Sequence, residues 1–380
     1  MLAVALPVFV FVQTRSGSAT ALLFICQLAV GAILGPIGGS LVDRWDLRRC
    51  LVATNLGQAV TLLPLLAVTG DRVWPAYPVI AVQAVLTQLN NPANVALIPR
   101  VVHTDQLTSA NAALAAAGSL SRLIGSPLGG ILVAWRGLAP VVAVDSISFL
   151  VVAISLGFLR SDTSPIAQPD GSNRPRLREG LHAVRQNPPL APLLSIHGLT
   201  QLAQGGFVVL FIAFIVQTLG DDGSDVGLIR GTMAIGALIG SAIIARLARR
   251  VDSTVLYSAG LIGMGLVEYV FWNAPEFTTA LWAYMVLFAL SGIPGSAMSV
   301  GILTTVQTRS PSHALGRVAG LMGTAGSLGT AVGSVITGVL IGHLSLRLLL
   351  NAQASIYVIG GLLAAIFVTS RRSERATNDT

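Results

Sequence analysis

The sequence has 380 residues, of which 53% are hydrophobic and only 10% are charged, and its mean hydropathy is +0.76. So few polar side chains cannot cover the surface of a soluble protein of this size, and the composition predicts a polytopic membrane protein. The formal net charge of +7 is the excess of 23 arginines, with no lysine, over 16 acidic residues. The sequence contains no basic patch interleaved with aromatic residues, so this charge does not predict a nucleic-acid partner.

The first apolar segment, from Leu2 to Gln13, is too short to cross a bilayer. As a helix it would be about 18 Å long, against about 30 Å of hydrocarbon. It also lacks the charged flank and the cleavage site of a signal peptide. We interpret it as the second half of an incomplete first span and Met1 as an internal or misassigned start, with about 10 to 25 residues missing upstream. If the short form is instead the natural product, we expect it to express poorly and to export no substrate.

Eleven apolar segments of about 20 residues follow, each long enough to cross the membrane. They lie near residues 20–42, 50–69, 76–98, 109–134, 139–159, 193–217, 226–247, 253–272, 279–305, 317–342 and 348–369. With the incomplete first span they predict two halves of six helices, residues 1–159 and 193–380. Residues 160–192, rich in Pro, Ser, Asp and Arg, are predicted to link the halves, with an amphipathic surface helix over 178–185.

The distribution of arginines predicts the orientation of the chain. Seventeen arginines fall in alternate loops, whereas four, Arg15, Arg72, Arg136 and Arg347, fall in the loops between them. Because arginine-rich loops stay on the cytoplasmic side, the linker and the C-terminal tail are predicted to be cytoplasmic. The expected location is the cell (inner) membrane.

The loop between the second and third spans, Gly39 to Leu51, places an aspartate inside a cluster of arginines, where a plain membrane anchor would carry basic charge only. This loop resembles that of the major facilitator superfamily of secondary transporters, with the pattern Gly-x-Leu-Ala-Asp-Arg-x-Gly-Arg-Lys/Arg-x-x-Leu. The matching residues are Gly39, Leu41, Asp43, Arg44, Arg48, Arg49 and Leu51. Asp46 and Leu47 depart from the pattern.

Charges that pair in one state and separate in another can form a cytoplasmic gate, which is the role that we predict for this loop. The predicted gate residues are Gly39, Asp43, Arg44, Arg48 and Arg49. The alternative is that the arginines only hold the topology of the chain.

Three further stretches are similar to bacterial drug exporters of the same superfamily. They begin at Asn91 (Asn-Pro-Ala-Asn-Val-Ala-Leu-Ile-Pro-Arg), Leu107 (Leu-Thr-Ser-Ala-Asn-Ala) and Ala314 (Ala-Leu-Gly-Arg-Val-Ala-Gly). The resemblance covers nearly the whole chain. It implies an all-α integral membrane protein with the major facilitator fold and no cofactor, acting as a monomer in the lipid bilayer.

The fifth span contains a motif similar to the proline–glycine motif of antiporters, in which a bend and close backbone approach seal the substrate from the cytoplasm. Its residues are Arg122, Gly125, Pro127, Gly129 and Gly130. The alternative is ordinary helix packing, since Gly125 and Gly129 also form a Gly-x-x-x-Gly seam.

Two carboxylates are candidate buried charges. Asp145, in the sixth span, lies at nearly the same depth as Arg122, and we infer that the two pair, either to carry protons or only to join two helices. Glu268 is the only glutamate within a span. Its position near the outer end favours a side chain that reaches the membrane surface, and a proton-carrying role is the less favoured alternative.

Polar side chains in the fourth and seventh spans are candidate cavity residues, and interhelical hydrogen bonding is an equally good explanation for them. The candidates are Gln83, Gln88 and Asn90 in the fourth span, and His197, Gln201 and Gln204, on one helix face, in the seventh.

Taken together, these features predict a transporter that exports drug-like or other amphipathic small molecules, with protons as the coupling ion. The sequence contains no Gly-x-x-x-x-Gly-Lys-Ser/Thr phosphate loop, so ATP is not the predicted energy source. Its histidines and cysteines do not fall in a pattern that predicts an enzyme or a metal site. A metabolite or siderophore exporter of the same fold is the alternative, as is a non-transporting membrane sensor or remnant.

Overall fold

The computed structural model describes residues 2–14, 45–68, 73–158, 190–218, 225–247 and 250–378, together with single residues and pairs between 22 and 42 and residue 184. These residues form helices and turns, and none of them lies in a strand. The predicted all-α class is therefore confirmed. The predicted surface helix over 178–185 lies outside the described residues except for Val184.

Eleven α-helices are present in the described part of the chain. Their bounds are α1 Leu2–Thr14, α2 Leu47–Thr61, α3 Ala76–Val101, α4 Leu107–Arg136, α5 Leu138–Gly157, α6 Leu190–Thr218, α7 Asp225–Leu247, α8 Ser253–Asn273, α9 Leu281–Arg309, α10 Leu315–Leu340 and α11 Leu346–Asn378. Nine of the helices described are long and apolar enough to cross a membrane. Helix α3 has 26 residues but is not among the nine, and it carries several amide side chains.

Backbone contacts divide the chain into two compact units, whose ranges are Met1–Val101, Ser121–Val184 and Ser310–Thr324 for the first, and Val102–Leu120, Arg185–Arg309 and Ala325–Thr380 for the second. In the first unit α2 packs against α3 and α5, and α1 packs against α5. Leu6 and Phe9 of α1 are buried there with Leu65 and Val142. Gly137, with φ of +70°, forms the sharp connection between α4 and α5, a conformation that favours glycine.

In the second unit α9 packs against α7 and α8, and α11 packs against α8 and α6. Glycines allow the α7 and α9 backbones to touch, because a Cβ atom added to Gly236 would overlap the carbonyl oxygen of Ala289, and one added to Gly292 would overlap that of Met233. Such small-residue contacts give membrane helices their close packing. Aromatic side chains make up much of one hydrophobic cluster of this unit, namely Phe207, Phe211, Phe214, Phe271, Trp272, Tyr284 and Phe288.

Candidate functional site

The predicted gate loop is only partly described. Gly39, Asp43 and Arg44 lie outside the described residues. Arg48 and Arg49 lie in the first turn of α2, where the Arg48 guanidinium donates a hydrogen bond to the carbonyl oxygen of Gly157 at the end of α5. This bond ties two helix ends of the first unit together, and the gating role of the loop remains a prediction.

Asp46, which departs from the family pattern, caps the start of α2. Its carboxylate accepts a hydrogen bond of 2.8 Å from the backbone N–H of Arg49. The first amides of a helix have no partner within the helix, so this bond satisfies one of them. An aspartate directly before an apolar helix is a signal that could have revealed this role from the sequence.

The fifth-span motif lies in the middle of α4, which continues as a helix through Pro127. Gly125 and Gly129 are buried, whereas a Cβ atom added to Gly130 would have no atom within 4 Å. The Arg122 side chain is exposed at the protein surface. The buried pair fits a packing seam, and the sealing role of the motif stays a prediction.

Asp145 is half-buried in α5, and its Oδ2 atom accepts a hydrogen bond of 2.9 Å from the backbone N–H of Leu2. The carboxylate therefore caps α1 at an end where the amides lack partners within the helix. Arg122 and Asp145 each take part in a further interaction. The pairing of the two charges remains a prediction.

The amides of the fourth span join α3 to α2. Gln83 is buried and donates to the carbonyl oxygen of Gln58 at 2.7 Å and to Thr61 at 2.8 Å. Asn90 donates to Thr54 at 3.0 Å, and Gln88 is half-buried. These bonds agree with the interhelical alternative for Gln83 and Asn90, while contact of any of the three with a substrate stays a prediction.

The seventh-span residues lie on α6 in the second unit. His197 and Gln201 face Gly326 of α10. A Cβ atom added to Gly326 would lie 3.9 Å from the Nε2 atom of His197 and 3.3 Å from the Nε2 atom of Gln201. Gln204, one turn further, accepts a hydrogen bond of 3.1 Å from the hydroxyl of Tyr357 on α11. Of the three, Gln204 is the one that borders the cavity described next.

A small cavity lies between α6, α7, α8 and α9 within the second unit. It contains about 40 Å³ of water-sized space. Its lining is mostly aromatic, aliphatic and methionine side chains, with three polar ones: Gln204, Phe207, Met233, Met264, Val267, Glu268, Phe271, Trp272, Leu287, Phe288 and Ser291. The rings of Phe271 and Trp272 meet edge to face, with centroids 4.8 Å apart.

Glu268 is the acidic residue of this cavity, and the expectation that it reaches the membrane surface is wrong. Its side chain is 8% exposed, because helical spacing places it on the same face of α8 as Met264, Phe271 and Trp272, which pack inward. The Oε2 atom of Glu268 has no hydrogen-bond partner among the described residues. Gln353 of α11 lies beside the carboxyl group, and its own Nε2 atom likewise lacks a partner in the described structure.

A polar cluster at the other end of α8 and α9 was missed in the sequence, although it includes Asn111 of the stretch that begins at Leu107. Asn111 donates hydrogen bonds to Thr304 at 2.8 Å and to Gln307 at 2.6 Å. Beside it, Asp252 caps α8 by accepting from the N–H of Thr254 at 2.8 Å and lies 3.9 Å from Arg309. Polar side chains at the start of α4 are thus joined to the end of α9.

Comparison with known proteins places this architecture among transporters. The sequence profile of the Major Facilitator Superfamily matches residues 1–207 and 193–380. The chain is 25% identical over 352 residues to the uncharacterized MFS-type transporter YfiS of Bacillus subtilis (strain 168), covering 88% of this chain and 81% of YfiS. It is 23% identical over 335 residues to macrolide efflux protein A of Streptococcus pyogenes, covering 86% and 82% of the two chains. A crystal structure of a bacterial homologue of the iron transporter ferroportin, in an outward-facing state, has the same fold, with a TM-score of 0.78, 17% identity, and 96% and 94% of the two chains covered.

Proposed function

The chain belongs to the Major Facilitator Superfamily, and we propose that it exports drug-like or other amphipathic small molecules in exchange for protons. The observation that carries this proposal is the cavity of the second unit. Aromatic and methionine side chains line it, and Gln204, Glu268 and Ser291 supply a few polar groups. Small-molecule sites in proteins have this character, with apolar walls and a few polar groups that orient the ligand.

The cavity admits only water in this conformation, since its water-sized space is about 40 Å³ and sites for drug-sized ligands span about 300 Å³ or more. Binding of such a ligand therefore requires the lining helices to separate. Alternating access between two sides of the membrane supplies such a movement. The name of one relative, macrolide efflux protein A, supports the same class of substrate.

Transport into inverted membrane vesicles tests the proposal. We expect uptake of a macrolide or a lipophilic dye that stops when the pH gradient is collapsed, with vesicles lacking the protein as the control. Uptake that is independent of the gradient would contradict proton exchange. Uptake of a siderophore or a metabolite in place of dyes and macrolides would favour the other exporter class, and no uptake of any of them would favour a sensor or remnant.

A further inference from the structure

We propose that Glu268 is the group that binds and releases the coupling proton, and that it does so through the small cavity of the second unit. This inference rests on the proposed proton exchange and adds the identity of the carrier. It depends on three features of the described structure: the burial of the carboxyl group, the absence of a cation beside it, and water-sized space at its side.

The first feature is the burial of the carboxyl group, one of whose oxygen atoms lacks a hydrogen-bond partner among the described residues. Glu268 is 8% exposed and its Oε2 atom accepts no hydrogen bond from any described residue. Charged groups within a membrane are costly unless a partner or water compensates them, and residues of this kind commonly mark ion or proton pathways. When such a carboxyl group loses its proton, the buried negative charge is costly in free energy unless water solvates it. A group that binds and releases a proton therefore needs access to water.

The second feature is the set of neighbours around the carboxyl group. Tyr357 on α11 interacts electrostatically with Glu268, and Tyr357 also interacts with Tyr257 on α8. The cavity side chains from α6, α7 and α9 are uncharged, and the described residues form no salt bridge to Glu268. Arg230 of α7 instead lies over the ring of Phe211, 5.8 Å from its centroid. A fixed cation would hold the carboxylate permanently charged, so its absence leaves the proton exchangeable.

The third feature is a place for water. The cavity beside Glu268 contains about 40 Å³ of water-sized space, and one water needs about 10–15 Å³ together with two to four polar partners. Glu268, Gln204 and Ser291 supply such partners. In the transfer step the O–H bond of the carboxylic acid breaks, the proton passes to a water molecule, and the carboxylate keeps the electron pair. The reverse step reloads the site.

The test compares three variants with the wild-type protein in lipid vesicles. Glu268→Gln removes the titratable group at nearly the same size, and Glu268→Asp retains it. Glu276→Gln is the matched control, because Glu276 follows the end of α8 in the same unit and forms an exposed ion pair with Arg347, at 2.5 Å. All variants are first compared for yield and for a single species in gel filtration.

Infrared difference spectroscopy during a pH titration detects the carboxyl group without any substrate. We expect a protonated-carboxyl band that titrates in the wild-type protein and in Glu276→Gln, that shifts in Glu268→Asp, and that is lost in Glu268→Gln. An unchanged band in Glu268→Gln would overturn the assignment. This measurement decides the proton-binding role even if the protein exports no dye or macrolide, an outcome that would count against the proposed function instead.

Transport measurements then separate proton coupling from a structural role. We expect gradient-driven dye uptake by Glu268→Gln to fall to the rate measured without a pH gradient, while Glu268→Asp, which keeps a titratable carboxyl group, retains gradient-driven uptake. A purely structural role would lower uptake by both variants together. Gradient-driven uptake by Glu268→Gln at the wild-type rate would show that the proton is carried elsewhere.

Discussion

The side-chain amide of Asn111 on α4 donates a hydrogen bond of 2.6 Å to the Oε1 atom of Gln307 on α9, although the two residues are 196 positions apart. Both side chains are buried, at 2% and 5% exposure, and so is Thr304, the second acceptor. A buried polar group that loses its partner cannot bond to water instead. The start of α4 is therefore held to the end of α9 by bonds that are costly to remove.

We expect Asn111→Ala to lower the free energy of unfolding by about 1–3 kcal/mol, because it removes the side-chain amide that donates to two buried acceptors. Thermal unfolding of the purified protein in detergent measures the change. Asn94→Ala is the control, since Asn94 is exposed and, among the described residues, its side chain donates to Asn90 within the same helix. A double-mutant cycle with Gln307→Ala checks the contact, and additive losses would argue against it.

For the gate loop, we expect Asp43→Asn to leave membrane insertion intact and to abolish most transport, because topology depends on the arginines while the gate depends on the carboxylate. Asp46→Asn provides the same chemical change three positions later. It should be nearly neutral, since asparagine caps a helix about as well as aspartate. Vesicle uptake normalised to the amount of inserted protein measures both, and equal rates for the two variants would refute the gate.

For the two span charges, we expect Arg122→Ala and Asp145→Ala each to reduce the amount of folded protein, and the double variant to recover it. A single unpaired charge within the membrane is more costly in free energy than no charge at all. The second substitution should therefore restore folding, because it removes the charge that the first one leaves unpaired. Asp145→Ala also removes the acceptor for the backbone N–H of Leu2. The decrease in folded protein that results from losing this bond should persist in the double variant. Independent losses in the double variant would show that the charges do not pair.

The contact between α7 and α9 predicts opposite outcomes at two glycines of one helix. Gly236→Ala should destabilise the protein by about 1–3 kcal/mol, because the added methyl group would overlap the carbonyl oxygen of Ala289. Gly231→Ala, with no atom within 4 Å of its Cβ position, should be neutral or stabilising by up to about 1 kcal/mol. Thermal unfolding in detergent distinguishes the two, and equal effects would contradict the close approach.

The proposed cavity predicts a change of substrate preference at Phe288. Phe288→Leu reshapes the cavity wall and should alter the relative uptake rates of dyes of different size, whereas Phe277→Leu, at a residue 87% exposed outside the cavity, should not. Phe→Leu keeps an apolar side chain, so both variants are expected to fold. If both variants retain the wild-type ratio of dye rates, the cavity is not the substrate site.

Composition, apolar segment length and the motif around Asp43 were sufficient to predict the superfamily, the all-α class and a multi-pass membrane protein. These properties are local, since about 20 apolar residues span a bilayer whichever neighbours they meet. The family pattern in the loop is likewise contained within a few consecutive residues. The same local signals also placed His197, Gln201 and Gln204 on one face of a helix.

Only the tertiary structure decided which polar side chains bond to a neighbouring helix and which are buried with an atom that has no partner among the described residues, as the Oε2 atom of Glu268 is. Helical spacing shows that Gln83 and Glu268 each lie on a definite face, but it does not show which helix that face meets. Contact between helices, as at Gly236 and Ala289, decides this. Gln83 consequently bonds to α2, Asn111 bonds to a helix almost 200 residues away, and Glu268 is enclosed beside a cavity rather than at the membrane surface.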